Sequence, residues 1–435
     1  MNEKITIFWF RRDLRIDDNV GFLAALKAGF PVLPIFIFDT QILDKLPEND
    51  ARVTFIHENL QKMRKELNKI GSSIAIYYGK PSEIFKRILK ERDVYQVFTN
   101  RDYEPYAKGR DGEIEKLLSS KNIEFHSYKD HVIFEKDEVV KKDGTPYVVY
   151  TPYMKLWKEK FKTTGLKTHA TSEFLNTLIK NTDLPNLSLN DIGFKTSKIK
   201  VPDYNVSPKL IQEYEEKRNF PAKDATSHLG PHLRFGTVSI RELMKKAISE
   251  KNEIFWQELI WREFFMQILY HYPQTVTYSF KKKYDRIEWR NDIDEFEKWK
   301  AGKTGYALVD AGMRELNESG FMHNRVRMLV GSFLCKHLLI DWRWGEAYFA
   351  EKLLDYEMSS NVGNWQWIAG SGVDAAPYFR IFNPTTQIND YDKDHIYIKK
   401  WVKEFGTSDY PEMMVDHKKA RERALIRYER LDMRY

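Results

Sequence analysis

In the second half of this 435-residue chain, reactive and stacking side chains recur at helical spacing. Glu258, Trp261, Arg262 and Phe265 stand at i, i+3, i+4 and i+7, one face of a helix. A carboxylate, an indole and a guanidinium on one stripe make a poor core but a good cavity wall. The indole offers a stacking platform and the carboxylate accepts N–H groups. The ordinary alternative is a helix braced by a Glu258–Arg262 pair. In GFMHNRVRM (320–328), Asn324 shares a face with Arg327 and Met328, and His323 has no second His beside it. A lone His more often satisfies a local hydrogen bond, and no His/Asp/Glu cluster falls at ligand spacing, so no metal site is expected. LLDYEMSSNVGNWQWIAG (353–370) sets Asp355 and Glu357 among apolar residues, where buried acids require partners; Arg327 is a candidate partner for Asp355. Asn361 and Trp365 share a helical face, whereas Trp365 and Trp367 diverge by about 200°, so one can point inward while the other faces a cavity. The turn TSHLGPHLRFG (226–236) offers hydroxyls and backbone N–H groups to a phosphate, although an ordinary capped turn explains it equally well. No Ser/His/Asp arrangement and no P-loop accompanies these groups.

Composition bounds the rest. Lys+Arg number 70 against 63 Asp+Glu, a net charge of +7, which permits nucleic acid without demanding it. Charged residues make up 31%, and no apolar run approaches the roughly 18 residues of a spanning helix, so a membrane protein is excluded. The start shows no secretory signal, and the single cysteine, Cys335, rules out a disulfide framework and a multi-cysteine metal site. A cytoplasmic location is expected. The unusual feature is aromatic: of 11 Trp, only Trp9 and Trp157 precede residue 250.

The positioning elements differ between the halves. Residues 5–10, 31–38, 73–78, 94–99 and 123–128 read as short buried strands, with helical patterns over 50–69, 82–91 and 106–120 between them. Such alternation predicts βαβ units in a doubly wound parallel sheet. The first strand runs into Arg11-Arg12-Asp13-Leu14-Arg15, with no G-x-G-x-x-G to cradle a pyrophosphate. Residues 163–208, rich in Thr, Ser, Asn, Lys and Pro, read as a long surface linker. Beyond them helical periodicity dominates, over 239–250, 253–270, 306–318, 322–340 and 345–358, and the basic stretch ending the chain reads as a solvated amphipathic helix. The expected organisation is a Rossmann-like α/β domain over 1–131, a linker over 132–205 and an α-helical domain over 206–435.

Taken together, FWFRRDLRIDDN, NFPAKDATSHLGPHLRFGTVS, ELIWREFF, WKAGKTGYALVDAGMRELNESGFMHNRVRM, DWRWGEAYF and DYEMSSNVGNWQWIAGSGVDAAPYFRIFNP resemble the cryptochrome/photolyase family in order and along nearly the whole chain. The resemblance implies FAD, working fully reduced, in the helical domain. Tyr214 and the turn Thr226, Ser227, His228, Leu229 and Gly230 would serve its phosphates. Arg327, Asp355 and Glu357 would flank the isoalloxazine, with Asn361 beside N5, where Asn is typical of photolyases. Trp365, Trp342 and Trp289 map onto an electron relay from flavin to surface. Asn324 after His323, and Met328, give the pattern of class I cyclobutane pyrimidine dimer photolyases, so lesion contacts fall on Glu258, Trp261, Asn324, Met328 and Trp367. Arg218, Arg262, Arg325 and Arg380 are candidates for the DNA strand.

Departures from the family pattern include Gly230 for a frequent Ser, His228 for Arg, Glu357 for Asp and Phe321 for Trp. Tyr106 and Ala107 stand where folate-binding relatives carry Asn and Glu, so a folate antenna of that type is not supported; a second chromophore of unassigned identity stays open. The reading is a light-driven lyase acting on UV-damaged DNA, as a monomer without a protein partner. The alternatives are a cryptochrome-type blue-light receptor with a signalling partner, and a flavin electron-transfer protein without DNA. The first is disfavoured because the chain ends soon after the helical domain, the second because it leaves Glu258, Trp261 and Trp367 without use.

Overall fold

The first strand, Ile5–Phe10 (β1), alternates between two apolar clusters: Phe8 and Phe10 enter one, Ile5, Ile7 and Trp9 the other. A strand buried on both faces needs helices on both sides, and the computed structural model, which describes residues 3–431, supplies them. Val32–Asp39 (β2), Ala75–Gly79 (β3), Val94–Asn100 (β4) and Glu124–Tyr128 (β5) complete an all-parallel sheet of order β3-β2-β1-β4-β5. Helices Val20–Leu26, Ala51–Asn68, Pro81–Glu91 and Pro105–Ser119 connect them, the first two capped by the side chains of Asn19 and Asp50. Each fully buried Phe or Ile contributes roughly 1.5–3 kcal/mol, so the two clusters dominate the stability of this sheet.

The chain divides into two units by contact density. One comprises residues 1–138, 158–204 and 228–249; the other 139–157, 205–227 and 250–435. In the first unit the polar stretch 163–208 is not a loose connection. Leu178, Leu184, Ile192 and Phe194 are buried in the clusters of the sheet, and Ile179 N–H donates to the Val32 carbonyl. A few apolar anchors hold a segment whose average composition is that of a loop.

The second unit is helical. Its major helices are Pro208–Lys217, Glu253–His271, Ala307–Ser319, Asn324–Ser332, Trp342–Lys352, Met358–Ala369 and His417–Glu429. Two periodic stretches are interrupted. The pattern over 322–340 is α-helical only to Ser332 and continues as a π-helix, Phe333–His337. The pattern over 345–358 stops at Lys352, because Leu354 N–H turns away to the Gly320 carbonyl, and the next helix starts afresh after Glu357. The terminal helix buries Ala420, Ala424 and Tyr428 and exposes its charges.

Candidate functional site

Asn252 caps helix Glu253–His271 by accepting from the backbone N–H groups of Ile254 and Phe255. Burial of Phe255, Leu259, Ile260 and Phe264 fixes the rotation of this helix, which leaves Glu258, Trp261 and Arg262 half-buried. Glu258 pairs with Arg218, the residue closing helix Pro208–Lys217, rather than with Arg262. The carboxyl keeps 40% of its side-chain surface open. Burial of the remainder pushes it above the usual carboxylate range, against the pull of Arg218. Trp261 stacks on Tyr150 with ring centroids 3.5 Å apart and planes 6° from parallel. Tyr214 packs edge-on against Phe255, and burial pushes its hydroxyl up to about 12.

His323 is buried, and its ring nitrogen accepts from Arg325 N–H, so this lone His caps helix Asn324–Ser332. Asn324 is exposed; Arg325 and Met328 are half-buried. Arg325 donates to Asn219 Oδ1 at 2.6 Å and lies over the Tyr391 ring at 4.5 Å. Arg327 grips Asp355 with both terminal nitrogens, at 3.2 and 2.8 Å, while its Nε donates to the Met322 carbonyl. Arg380 is exposed over Phe382.

Helix Met358–Ala369 carries the densest set. Glu357 is buried at its N-terminus and makes no side-chain cap bond. Asn361 Nδ2 donates to the Glu346 carboxyl at 2.9 Å and to its carbonyl at 3.1 Å, while its Oδ1 accepts no hydrogen bond among the described residues. Burial raises Glu346. The helix is wedged on two sides by glycine: a Cβ at Gly345 would lie 2.1 Å from the Trp365 ring, and one at Gly363 2.3 Å from Phe265. Between the two tryptophans, the Gln366 amide donates to the carbonyls of Thr275 and Tyr278 and accepts from Phe280 N–H. These bonds set the rotation of the helix, with Trp365 buried and Trp367 half-buried.

Trp365 and Trp342 belong to one apolar cluster. Trp289 lies at its margin and also packs on the cluster around Tyr428. Trp342 is fully buried, and its indole N–H meets no acceptor among the described residues. Trp299, in the same cluster, stacks on Phe296 and Phe349 and donates to the Val330 carbonyl, a packing role. In the turn before helix Leu229–Phe235, Thr226, Ser227 and Gly230 are half-buried and Leu229 is buried. His228 takes the left-handed conformation at φ +52°. Thr226 and Ser227 count with the second unit, His228, Leu229 and Gly230 with the first.

Two neighbours escaped the sequence reading. Tyr150 lies more than a hundred positions before Trp261, and Glu346 sits on a different helix from Asn361; neither pairing leaves a periodic signal. In the first unit, Tyr106 donates to Asp39 Oδ2 at 2.5 Å and Ala107 is buried. Among the described residues no cluster of three or more His, Cys, Asp or Glu could hold a metal, and no helix is long and apolar enough to cross a membrane.

The donor set fits a flavin edge. An isoalloxazine presents carbonyls and ring N–H groups; Arg327 donates, Asp355 and Glu357 accept, and the Asn361 amide has its oxygen unused because Glu346 takes its nitrogen.

Two family models match the chain: "DNA photolyase" over residues 6–173 and "FAD binding domain of DNA photolyase" over residues 255–409. The chain is 34% identical to a deoxyribodipyrimidine photo-lyase of Halobacterium salinarum over 98% of each chain. Among solved structures, it is similar to a class III photolyase from Agrobacterium tumefaciens at a TM-score of 0.87 and 32% identity, covering 100% of this chain and 98% of the other. It is also similar to an archaeal photolyase from Sulfolobus tokodaii with two FAD molecules, at a TM-score of 0.83 and 32% identity over 98% and 99% of the two chains. With relatives at this identity along its whole length, and with both family models in order, the chain belongs to the photolyase/cryptochrome family.

Proposed function

We propose that this protein is a light-driven DNA-repair lyase that splits cyclobutane pyrimidine dimers, with FAD as its resident cofactor. The observation that carries the reading is the match to deoxyribodipyrimidine photo-lyases along nearly the whole chain. Arg327, Asp355, Glu357 and Asn361 would hold the flavin edge, and Tyr214, Thr226 and Ser227 its phosphate region. When bound, the reduced and photoexcited flavin supplies the electron that opens the cyclobutane ring and receives it back.

The residues of this chain do the rest. Trp261 and Trp367 stack on the extruded dimer, and Glu258 accepts from a thymine N–H. Asn324 and Met328 bound the same surface. Extrusion is the general rule for enzymes working on bases, photolyases included, and a poorly stacked dimer costs least to extrude. Arg218, Arg262, Arg325 and Arg380 meet the strand, so affinity falls as salt rises. Trp365, Trp342 and Trp289 form the relay that keeps the flavin reduced. Trp342 is buried within the cluster and Trp289 lies at its margin, so the relay runs outward from the core.

The same proposal makes the protein a cytoplasmic monomer whose partner is UV-damaged DNA, with a second light-gathering chromophore of open identity. The S. tokodaii relative carries two FAD molecules. Pre-reduced protein incubated with a thymine-dimer oligonucleotide should restore thymines under blue light and not in darkness. Failure to restore them in light overturns the repair reading in favour of a photoreceptor.

A further inference from the structure

We propose that Tyr150 is a positioning residue for lesion recognition, fixing the plane of the Trp261 indole so that one face is closed and the other is presented to the damaged base. The proposal rests on the reading of Trp261 as a stacking wall. Tyr150 opens helix Tyr150–Thr164, and residues 139–157 pack with the helical unit. Its ring lies flat on the indole at 3.5 Å, closer than the other aromatic neighbours of Trp261: Phe264 meets it edge-on and Phe265 lies 27° from its plane, both at 5.7 Å.

Tyr150 is itself held at several points. Its hydroxyl donates to the Gln257 carbonyl at 3.0 Å, one turn before Trp261 on the same helix. Its backbone N–H donates to Asp374 Oδ2 at 3.1 Å, its ring meets Phe264 edge-on at 5.8 Å, and it is 6% exposed. A half-buried indole has several staggered rotamers open to it, and a ligand that needs one of them must meet the cost of ordering it. A tyrosine bolted to the same helix removes that freedom before DNA arrives. Glu258 lies on this helix face too, close enough for its charge to raise the Tyr150 hydroxyl further beyond the effect of burial. Tyr150 has no part in the flavin set or the relay, so its effect on repair runs through Trp261.

The test is a double-mutant cycle in the flavin-loaded full chain. Tyr150→Leu should raise KM for a dimer-bearing oligonucleotide about three- to tenfold, the worth of an aromatic pair. The rate at saturating light and substrate, and the affinity for undamaged DNA, should not move. Tyr150→Phe, which keeps the ring, should restore KM to within about twofold of wild type. In a Trp261→Ala background Tyr150→Leu should add no further loss. An unchanged KM in Tyr150→Leu, or an equal penalty with and without Trp261, overturns the proposal. If Tyr150→Leu loses its flavin, Tyr150→Met against Tyr150→Phe makes the same comparison. Wild-type protein that does not prefer dimer DNA overturns the repair reading itself, and the wild-type control separates that failure from one confined to Tyr150.

Discussion

Individual arginines of the two units have opposite surroundings. In the sheet unit three guanidiniums face largely buried carboxylates: Arg12 with Asp102 and Glu104, Arg15 with Asp130, and Arg241 with both Asp18 and Asp130. Where a dinucleotide-binding sheet would leave a glycine-lined crevice, this one buries Asp13, which accepts from Asn100 and from Arg11 N–H. In the helical unit Arg218 and Arg327 are also paired with acids, but Arg325 has an amide and a phenol ring for company, and Arg380 a phenyl ring. A guanidinium satisfied by neutral groups still carries its charge outward and can meet a phosphate, whereas one locked between two acids cannot. An arginine count, or a net charge of +7, therefore says little about DNA. The partners of each arginine say more.

This contrast can be broken experimentally. The largest expected effect lies in the relay of the helical unit: Trp342→Phe should abolish photoreduction of oxidised flavin, followed by absorbance under blue light, while repair by chemically pre-reduced enzyme persists. Lost repair in that assay would give Trp342 a structural or lesion role instead. Arg241→Ala leaves the buried Asp18 without its guanidinium and Asp130 with Arg15 alone, and should cost about 3–5 kcal/mol of stability in denaturant unfolding, with repair per folded molecule unchanged. A change in DNA affinity with stability intact would erase the distinction between the units. Trp261→Ala should weaken dimer binding by about 1–3 kcal/mol in a titration and leave undamaged DNA unaffected, the reverse signature.

The effect spread over the widest range of conditions is a pH signature. Burial alone would raise Asp130, but Arg15 and Arg241 outweigh it and hold the group at about 2, below the model-peptide range. A depressed carboxyl stabilises the fold above its unfolded pKa and loses that contribution as pH falls through the folded value. About 2 kcal/mol should therefore disappear between roughly pH 4 and pH 2. Glu258 is shifted the other way, so dimer binding should weaken at higher pH than unfolding begins, and Glu258→Gln should flatten that binding profile. Coincident binding and unfolding profiles would remove Glu258 from the site.

How far this was legible in the chain varies with the kind of signal. The five strands and their order of appearance were visible because both-face burial writes continuous apolar runs such as ITIFWF. Strand ends moved by one or two residues, as turn chemistry only brackets them. Helices ended early where a distant carbonyl captured a backbone N–H, as Gly320 does to Leu354, and no local pattern announces such a capture. The stripe Glu258, Trp261, Arg262 was readable because one helix carries it, yet the partner of Glu258 proved to be Arg218, forty positions away and on another helix. The linker composition of 163–208 hid buried anchors, because four apolar side chains among many polar ones hardly shift an average.

Helix Met358–Ala369 is gripped by Gly345 on one flank, by Phe265 against Gly363 on another, and by the Gln366 bonds between its two tryptophans. Such a clamp makes the segment intolerant of a change in count. One residue inserted between Asn361 and Trp365 would swing everything beyond it by about 100° and carry it about 1.5 Å along the axis. Trp365 would leave its notch at Gly345, Gln366 would miss its carbonyls, and Trp367 would turn from the groove into the core. In any lineage descended from this chain, the outward-facing letters of the segment can be exchanged, but a deletion or duplication of a single codon there should be absent from every working copy.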